Sequence, residues 1–141
     1  MRRDASAIGS LRAISSGQAA FSSSCAAGAY ASDLADLQLK PSGSTQGFVS
    51  PDLKSNGVAK SGYTVTMAAD ATAGTQVMSS VTPCVAVTGA LQSSYYASAT
   101  PVTAGGTGTR YFATDTRGTI FQGTTAASVT NPIPSAATPV Q

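Results

Sequence analysis

The sequence predicts an α+β domain in which one N-terminal amphipathic helix packs on a three- to four-stranded antiparallel sheet. Residues 4–24 carry large apolar side chains at helical spacing, and residues 63–68 alternate between large and small side chains as a half-buried strand does. Residues 109–122 are typical of a hairpin, because two short apolar segments flank a turn that ends in glycine. At 141 residues, the chain is long enough for one domain with a modest core.

The predicted helix presents one apolar side to the rest of the domain. At about 100° per residue, its large apolar residues fall in one arc. This core helix stripe consists of Ile8, Leu11, Ile14 and Phe21, with Ala7 and Gln18 inside the same arc. Asp4 opens the segment, where a carboxylate caps free N–H groups and suits the helix dipole.

The opposite side of the helix carries small residues instead of the long polar side chains of an ordinary solvated face. Its members are Ser6, Gly9, Ala13, Ser16, Gly17 and Ala20. Small residues let the backbone of another helix come close, which makes this side a candidate interface with other subunits. The alternative is a plain solvated surface, since Ser, Ala and Gly are frequent throughout the chain.

The whole chain, residues 1–141, is predicted to form this single domain. The helix occupies residues 1–24, a long polar loop residues 25–60, the β-sheet region residues 61–122, and a flexible tail residues 123–141. The predicted strands lie at residues 62–68, 95–100, 109–114 and 119–122. An antiparallel sheet of this size has one face to bury, and the core helix stripe is its expected partner.

The two cysteines, Cys25 and Cys84, allow two interpretations. An even count in a small, weakly charged chain favours one disulfide and an oxidising compartment. Such a bond would close a long loop and contribute roughly 4 kcal/mol by restricting the unfolded chain. Two unrelated buried thiols are the alternative.

The composition argues against an enzyme and against a nucleic-acid partner. Charged residues make up 10% of the chain, and the net charge of +2 is too small to favour nucleic acid or an anionic membrane. The absence of histidine excludes Ser–His–Asp and Cys–His catalysis. Two cysteines do not suffice for zinc, and Asp115 alone does not supply the oxygens that calcium needs. We therefore predict no catalytic residue, no metal and no cofactor.

Several segments, in this order along the chain, resemble the head domain of type IV pilins and pilin-like (pseudopilin) proteins. They are DASAIGSLRAI from Asp4, GAY from Gly28 with Leu34 and Leu37, FVSPDL from Phe48, KSGYTV from Lys60, and GTRYF through DTRG at residues 108–118. The likeness covers residues 4 to 122, and it is loose between residues 69 and 94.

The resemblance implies a structural subunit of a type IV pilus-like extracellular filament, assembled through its N-terminal helix. A pseudopilin of a type II secretion system, or a secreted adhesin or binding module on a pilin scaffold, are the alternatives. The implied partners are further copies of the chain or other pilin-like subunits, and the inner-membrane assembly machinery. Because pilins carry a leader and an apolar first half-helix, we expect such a segment upstream of Met1. Without it, we expect the chain to be a soluble monomer.

Overall fold

Helix α1 spans Arg2–Ser24 in the computed structural model, which describes residues 2–140. The buried side of α1 is formed by Leu11, Ile14 and Phe21, and Ile8 is half-buried beside them. Leu34–Gln38 forms a short 3-10 helix, which begins where the Asp33 carboxylate accepts a hydrogen bond from the Ala35 N–H at 3.0 Å. The predicted helix and its core stripe therefore correspond to the observed α1.

The sheet has six antiparallel strands, and each strand pairs with its neighbour in the chain. They are β1 Val58–Lys60, β2 Tyr63–Ala69, β3 Tyr95–Pro101, β4 Tyr111–Asp115, β5 Ile120–Gly123 and β6 Thr138–Pro139. In β2, Tyr63, Val65 and Met67 point towards α1 and are buried, whereas the residues between them are half-buried. This alternation is the two-residue period that the sequence shows.

The number of strands corrects the prediction of three to four. The four predicted strands correspond to β2, β3, β4 and β5, and the two additional strands lie at the sheet edges. β1 has three residues and β6 has two, so neither is long enough to show an alternating pattern. β1 therefore lay inside the predicted loop of residues 25–60.

Residues 123–140, the described part of the predicted tail of residues 123–141, also differ from the flexible tail that the composition predicts. Ala126–Val129 forms a second 3-10 helix, and Thr138–Pro139 pairs with β5 as strand β6. Val129 and Ile133 are buried in a second small apolar cluster. The other buried members are Ala113 and Phe121, which lie on the sheet face away from α1. The sheet thus buries part of both faces. The segment is ordered because burial of these apolar side chains offsets the conformational entropy that it loses.

A disulfide joins Cys25 and Cys84, which confirms the bonded interpretation of the two cysteines. The S–S distance is 2.08 Å, and the Cys84 N–H donates to the Cys25 carbonyl oxygen at 2.8 Å. Cys25 follows the last residue of α1, whereas Cys84 lies in the irregular segment between β2 and β3. The bond therefore fastens that segment to the end of the helix.

Replacing Leu11 by Ala is expected to lower the free energy of unfolding by about 2–5 kcal/mol, because the side chain is fully buried. Replacing the exposed Arg12 by Ala should change it by about 0.5 kcal/mol or less. Urea unfolding of both variants measures the difference. Equal shifts of the unfolding midpoint would contradict the assignment of the buried helix side.

Candidate functional site

A buried glutamine fixes how α1 sits on the rest of the domain. Gln18 has no exposed surface, although it lies in the middle of the apolar side of the helix. Its side-chain nitrogen donates to the Ala31 carbonyl oxygen at 2.7 Å, and its side-chain oxygen accepts from the Ala31 N–H at 3.0 Å. Met67 Sδ in β2 lies 3.1 Å from the same nitrogen. Gln18 therefore connects the helix, the loop that follows it and the sheet.

The other side of α1 is uncovered along most of its length, and we call it the outer helix face. It consists of Ala5, Gly9, Arg12, Ser16, Ala19 and Ala20, all exposed. A Cβ atom built on Gly9 meets no atom within 4 Å, so the backbone itself is open to an approaching partner at this point. Apart from Arg12, every side chain on this face is small, which allows close helix–helix packing.

The structure places five of the six predicted filament-interface candidates at or beside this face. Gly9, Ser16 and Ala20 are exposed, and Ser6 and Ala13 are half-buried at its margin.

Gly17 is the exception and corrects the predicted face. A Cβ atom at Gly17 would lie 2.7 Å from the Phe48 carbonyl oxygen and 2.7 Å from Val49 Cγ1, because the loop of residues 25–57 crosses the helix there. Gly17 thus permits close packing within the chain, and the exposed face is rotated away from it towards Arg12. Helical periodicity alone does not show which flank a distant loop covers.

Arg12 is the one charged residue on the outer helix face. Within the described part of the chain, it makes no ion pair, since the three ion pairs there join Lys60 to Asp52, Arg110 to Asp4 and Arg117 to Asp115. The remaining three aspartates accept hydrogen bonds from backbone N–H groups; they are Asp33, Asp36 and Asp70. The outer helix face therefore consists of small uncharged residues and one cation, Arg12.

An ion pair fastens the first turn of α1 to the sheet. Asp4 Oδ2 accepts from Arg110 Nη2 at 2.6 Å and from Arg110 Nε at 3.0 Å, and Arg110 Nη1 donates to Gln122 Oε1 at 2.6 Å. The Tyr63 hydroxyl lies 2.8 Å from Asp4 Oδ1 and 2.9 Å from the Arg110 carbonyl oxygen. Sequence reasoning missed this cluster, because Asp4 and Arg110 are far apart in the chain and no local pattern links them.

These contacts shift the pKa values of two groups. Burial disfavours the charged form of Asp4, but the hydrogen bonds from Arg110 and Tyr63 outweigh it, so the pKa of Asp4 lies below its ordinary value. Burial, followed by the hydrogen bond to the Asp4 carboxylate, raises the pKa of Tyr63 to about 12. Both shifts favour a charged Asp4 beside a neutral Tyr63 at neutral pH.

Replacing Arg110 by Ala is expected to cost about 1–2 kcal/mol at pH 7, a figure reduced for the partial exposure of the guanidinium. Because the pKa of Asp4 is lower in the folded state, its ionisation stabilises the fold above the unfolded pKa of about 3.9. This contribution is lost as the pH falls towards and below the folded pKa.

Urea unfolding between pH 7 and pH 2.5 tests this, with Asp4→Asn as the second variant. We expect the loss of stability at acidic pH to be smaller in Asp4→Asn than in the unaltered chain. Asp52→Asn is the comparison, because the Asp52 carboxylate is more exposed than that of Asp4 and its pair with Lys60 contributes about 1 kcal/mol or less. The pKa of Asp52 is also lowered by the hydrogen bonds from Ser50 and Lys60, so Asp52→Asn should reduce the acid dependence, but less than Asp4→Asn does. If Asp4→Asn and the unaltered chain lost stability equally at acidic pH, the Asp4–Arg110 pair would not be a source of the acid dependence.

Among residues 2–140, no group of three or more His, Cys, Asp or Glu side chains is placed to hold a metal ion. In the same range, no helix is both long enough and apolar enough to cross a membrane. Comparison of the chain with protein-family models, with curated proteins and with solved structures gives no significant match.

Proposed function

We propose that this chain is the head domain of a structural subunit of a type IV pilus-like extracellular filament, and that it assembles through its N-terminal helix. The proposal rests on the resemblance of residues 4–122 to pilin heads and on the arrangement of α1. One long helix lies on an antiparallel sheet, which is the architecture that the resemblance implies.

The observation that carries the proposal is the division of α1 into two sides with different surroundings. Leu11, Ile14 and Phe21 are fully buried against the domain, whereas the outer helix face is uncovered. A helix that only had to cover the sheet would be expected to carry long, soluble side chains outward, since these are better helix formers than Gly and Ser. Gly9 costs the helix about 1 kcal/mol relative to Ala, which close packing of a neighbour would explain.

The outer helix face is suited to guide packing, but not to drive assembly alone. Its side chains are small and bury little apolar area, whereas association must offset at least about 4 kcal/mol of lost translational and rotational freedom. We therefore expect the chain alone to stay monomeric, and assembly to need more apolar contact area than the outer helix face offers. Its partners are then copies of itself or other pilin-like subunits, first anchored and assembled at the inner membrane.

Two alternative functions share part of this argument. A pseudopilin of a type II secretion system would use the same helix face, so the geometry of α1 does not separate it from a pilus subunit. A secreted binding module on a pilin scaffold is favoured by a cleft in the loop that follows α1. We propose no catalytic role; the absence of histidine excludes Ser–His–Asp and Cys–His arrangements.

Replacing Gly9 by Leu in the natural gene is expected to abolish filaments on the source cells while leaving the domain folded. The added side chain meets open space within the chain, but it would occupy the position of a neighbouring helix. Electron microscopy with an antibody against the chain measures filaments, and circular dichroism of the purified variant checks its fold.

Ala59→Leu is the matched control, because Ala59 is exposed on the edge strand β1 rather than on α1. Normal filaments in Ala59→Leu and none in Gly9→Leu would support the proposal. Normal labelled filaments in both variants would refute the helix face as the interface. A third result would favour the pseudopilin: the antibody labels no filaments on cells with the unaltered gene, and Gly9→Leu cells lose protein secretion.

A further inference from the structure

A cleft of about 390 Å³ lies within the loop between α1 and β1. The lining residues that matter for its chemistry are Gln38, Lys40, Gln46, Phe48, Ser50 and Pro51. Its volume falls at the lower end of the range of about 300–1,000 Å³ that is typical of small-molecule sites. Of these residues, Lys40, Gln46, Ser50 and Pro51 are exposed, so the cleft opens to solvent.

The walls of the cleft are held in place by hydrogen bonds across the loop. Gln38 Nε2 donates to the Ser50 carbonyl oxygen at 2.7 Å and to the Leu53 carbonyl oxygen at 2.9 Å. The Phe48 N–H donates to the Leu37 carbonyl oxygen at 2.6 Å. The Phe48 ring packs against the Phe21 ring of α1, nearly perpendicular to it, with 5.3 Å between the ring centroids. A ligand would therefore meet a shape that is already formed, which lowers the cost of binding.

The charge around the cleft favours an anion. Lys40 is exposed and makes no ion pair within residues 2–140. Asp52 follows the last lining residue, but its carboxylate is paired with Lys60 Nζ at 3.1 Å and accepts a hydrogen bond from the Ser50 hydroxyl. The single cation in the lining suits one carboxylate better than a polyphosphate, which needs several cations.

The remaining lining matches a sugar ring. Apolar surface from Phe48 and Pro51 can pack against the C–H face of a pyranose, and the amide of Gln46 and neighbouring hydroxyl groups can bond its hydroxyls. A cleft of about 490 Å³ near the C-terminal segment is lined without a charged or aromatic residue, and one of about 230 Å³ near the start of α1 is smaller. Of the three, only the cleft beside Lys40 combines a cation, an aromatic ring and amide groups.

We infer that this cleft binds a saccharide of one or two rings that carries a carboxylate, with the carboxylate at Lys40 and the ring against Phe48. The inference does not rest on filament assembly, since a pilus subunit and a free binding module can both carry such a site. A result against the saccharide site would leave the proposed filament function standing, and a result against the filament function would leave the saccharide site standing.

The test is an NMR titration of the ¹⁵N-labelled chain with sodium glucuronate, with glucose and with sodium acetate at one ionic strength. We expect glucuronate to give saturable shifts in the millimolar range, confined to residues 38–51. Glucose lacks the carboxylate and acetate lacks the ring, so each should bind about tenfold more weakly or worse. In Lys40→Gln, we expect glucuronate to bind about two- to fivefold more weakly, because an exposed charge pair contributes up to about 1 kcal/mol.

Lys54→Gln is the matched control, because it removes an equal exposed charge from a residue outside the lining. Glucuronate binding should be unchanged in this variant, and the spectra of both variants show whether the fold is intact. Several results would overturn the inference: no saturable shifts, shifts outside the loop, equal affinity for glucuronate and acetate or glucose, or equal losses in the two variants.

Discussion

The packing of α1 on the sheet is the constraint on which the rest of the structure depends. Leu11, Ile14 and Phe21 exclude water from the inner face of the sheet, and burial of each such side chain contributes about 1.5–3 kcal/mol. Apolar burial alone does not fix the orientation of the helix. Gln18 fixes it, because its side-chain amide hydrogen-bonds both the N–H and the carbonyl group of Ala31. An unpaired amide in that position would cost about 1–3 kcal/mol. The rotation of the helix is thereby set, and the outer helix face follows from it.

The long loop after α1 owes its shape to side chains that bond distant backbone groups. The buried Asp36 carboxylate accepts from the N–H groups of Thr88 and Gly89, each at 2.9 Å, and so ties the first 3-10 helix to the segment held by the disulfide. Asn56 Oδ1 accepts from Met67 N in β2 at 3.0 Å. Together with Gln38, these contacts replace the regular hydrogen bonds that the loop lacks, and backbone groups in an interior need such partners. Because these hydrogen bonds hold the loop in one conformation, the cleft beside Lys40 exists before any ligand binds.

The parts of the fold that repeat a pattern could be predicted from the sequence, and the parts that depend on one long-range contact could not. The 3.6-residue period gave the helix and its buried side, and the two-residue period gave the strand that became β2. Strand β6 is too short for a period, and the burial of Gly17 depends on where Phe48 crosses the helix. The helical period placed five of the six candidate positions at or beside the outer helix face. It could not place Gly17, because a loop from elsewhere in the chain covers that residue. The partner of Asp4 lies in a segment that no local rule connects to it.

Thiol accessibility in assembled material tests most directly whether the outer helix face is an interface. Because the native cysteines are joined to each other, a maleimide reports only the thiol introduced by Gly9→Cys or by Ala59→Cys. Both thiols should react rapidly in the purified chain, since both positions are exposed. In filaments on intact cells, we predict that the thiol at position 9 reacts many times more slowly, whereas the thiol at position 59 reacts as before. Equal and rapid reaction of both thiols in the filaments would contradict the account.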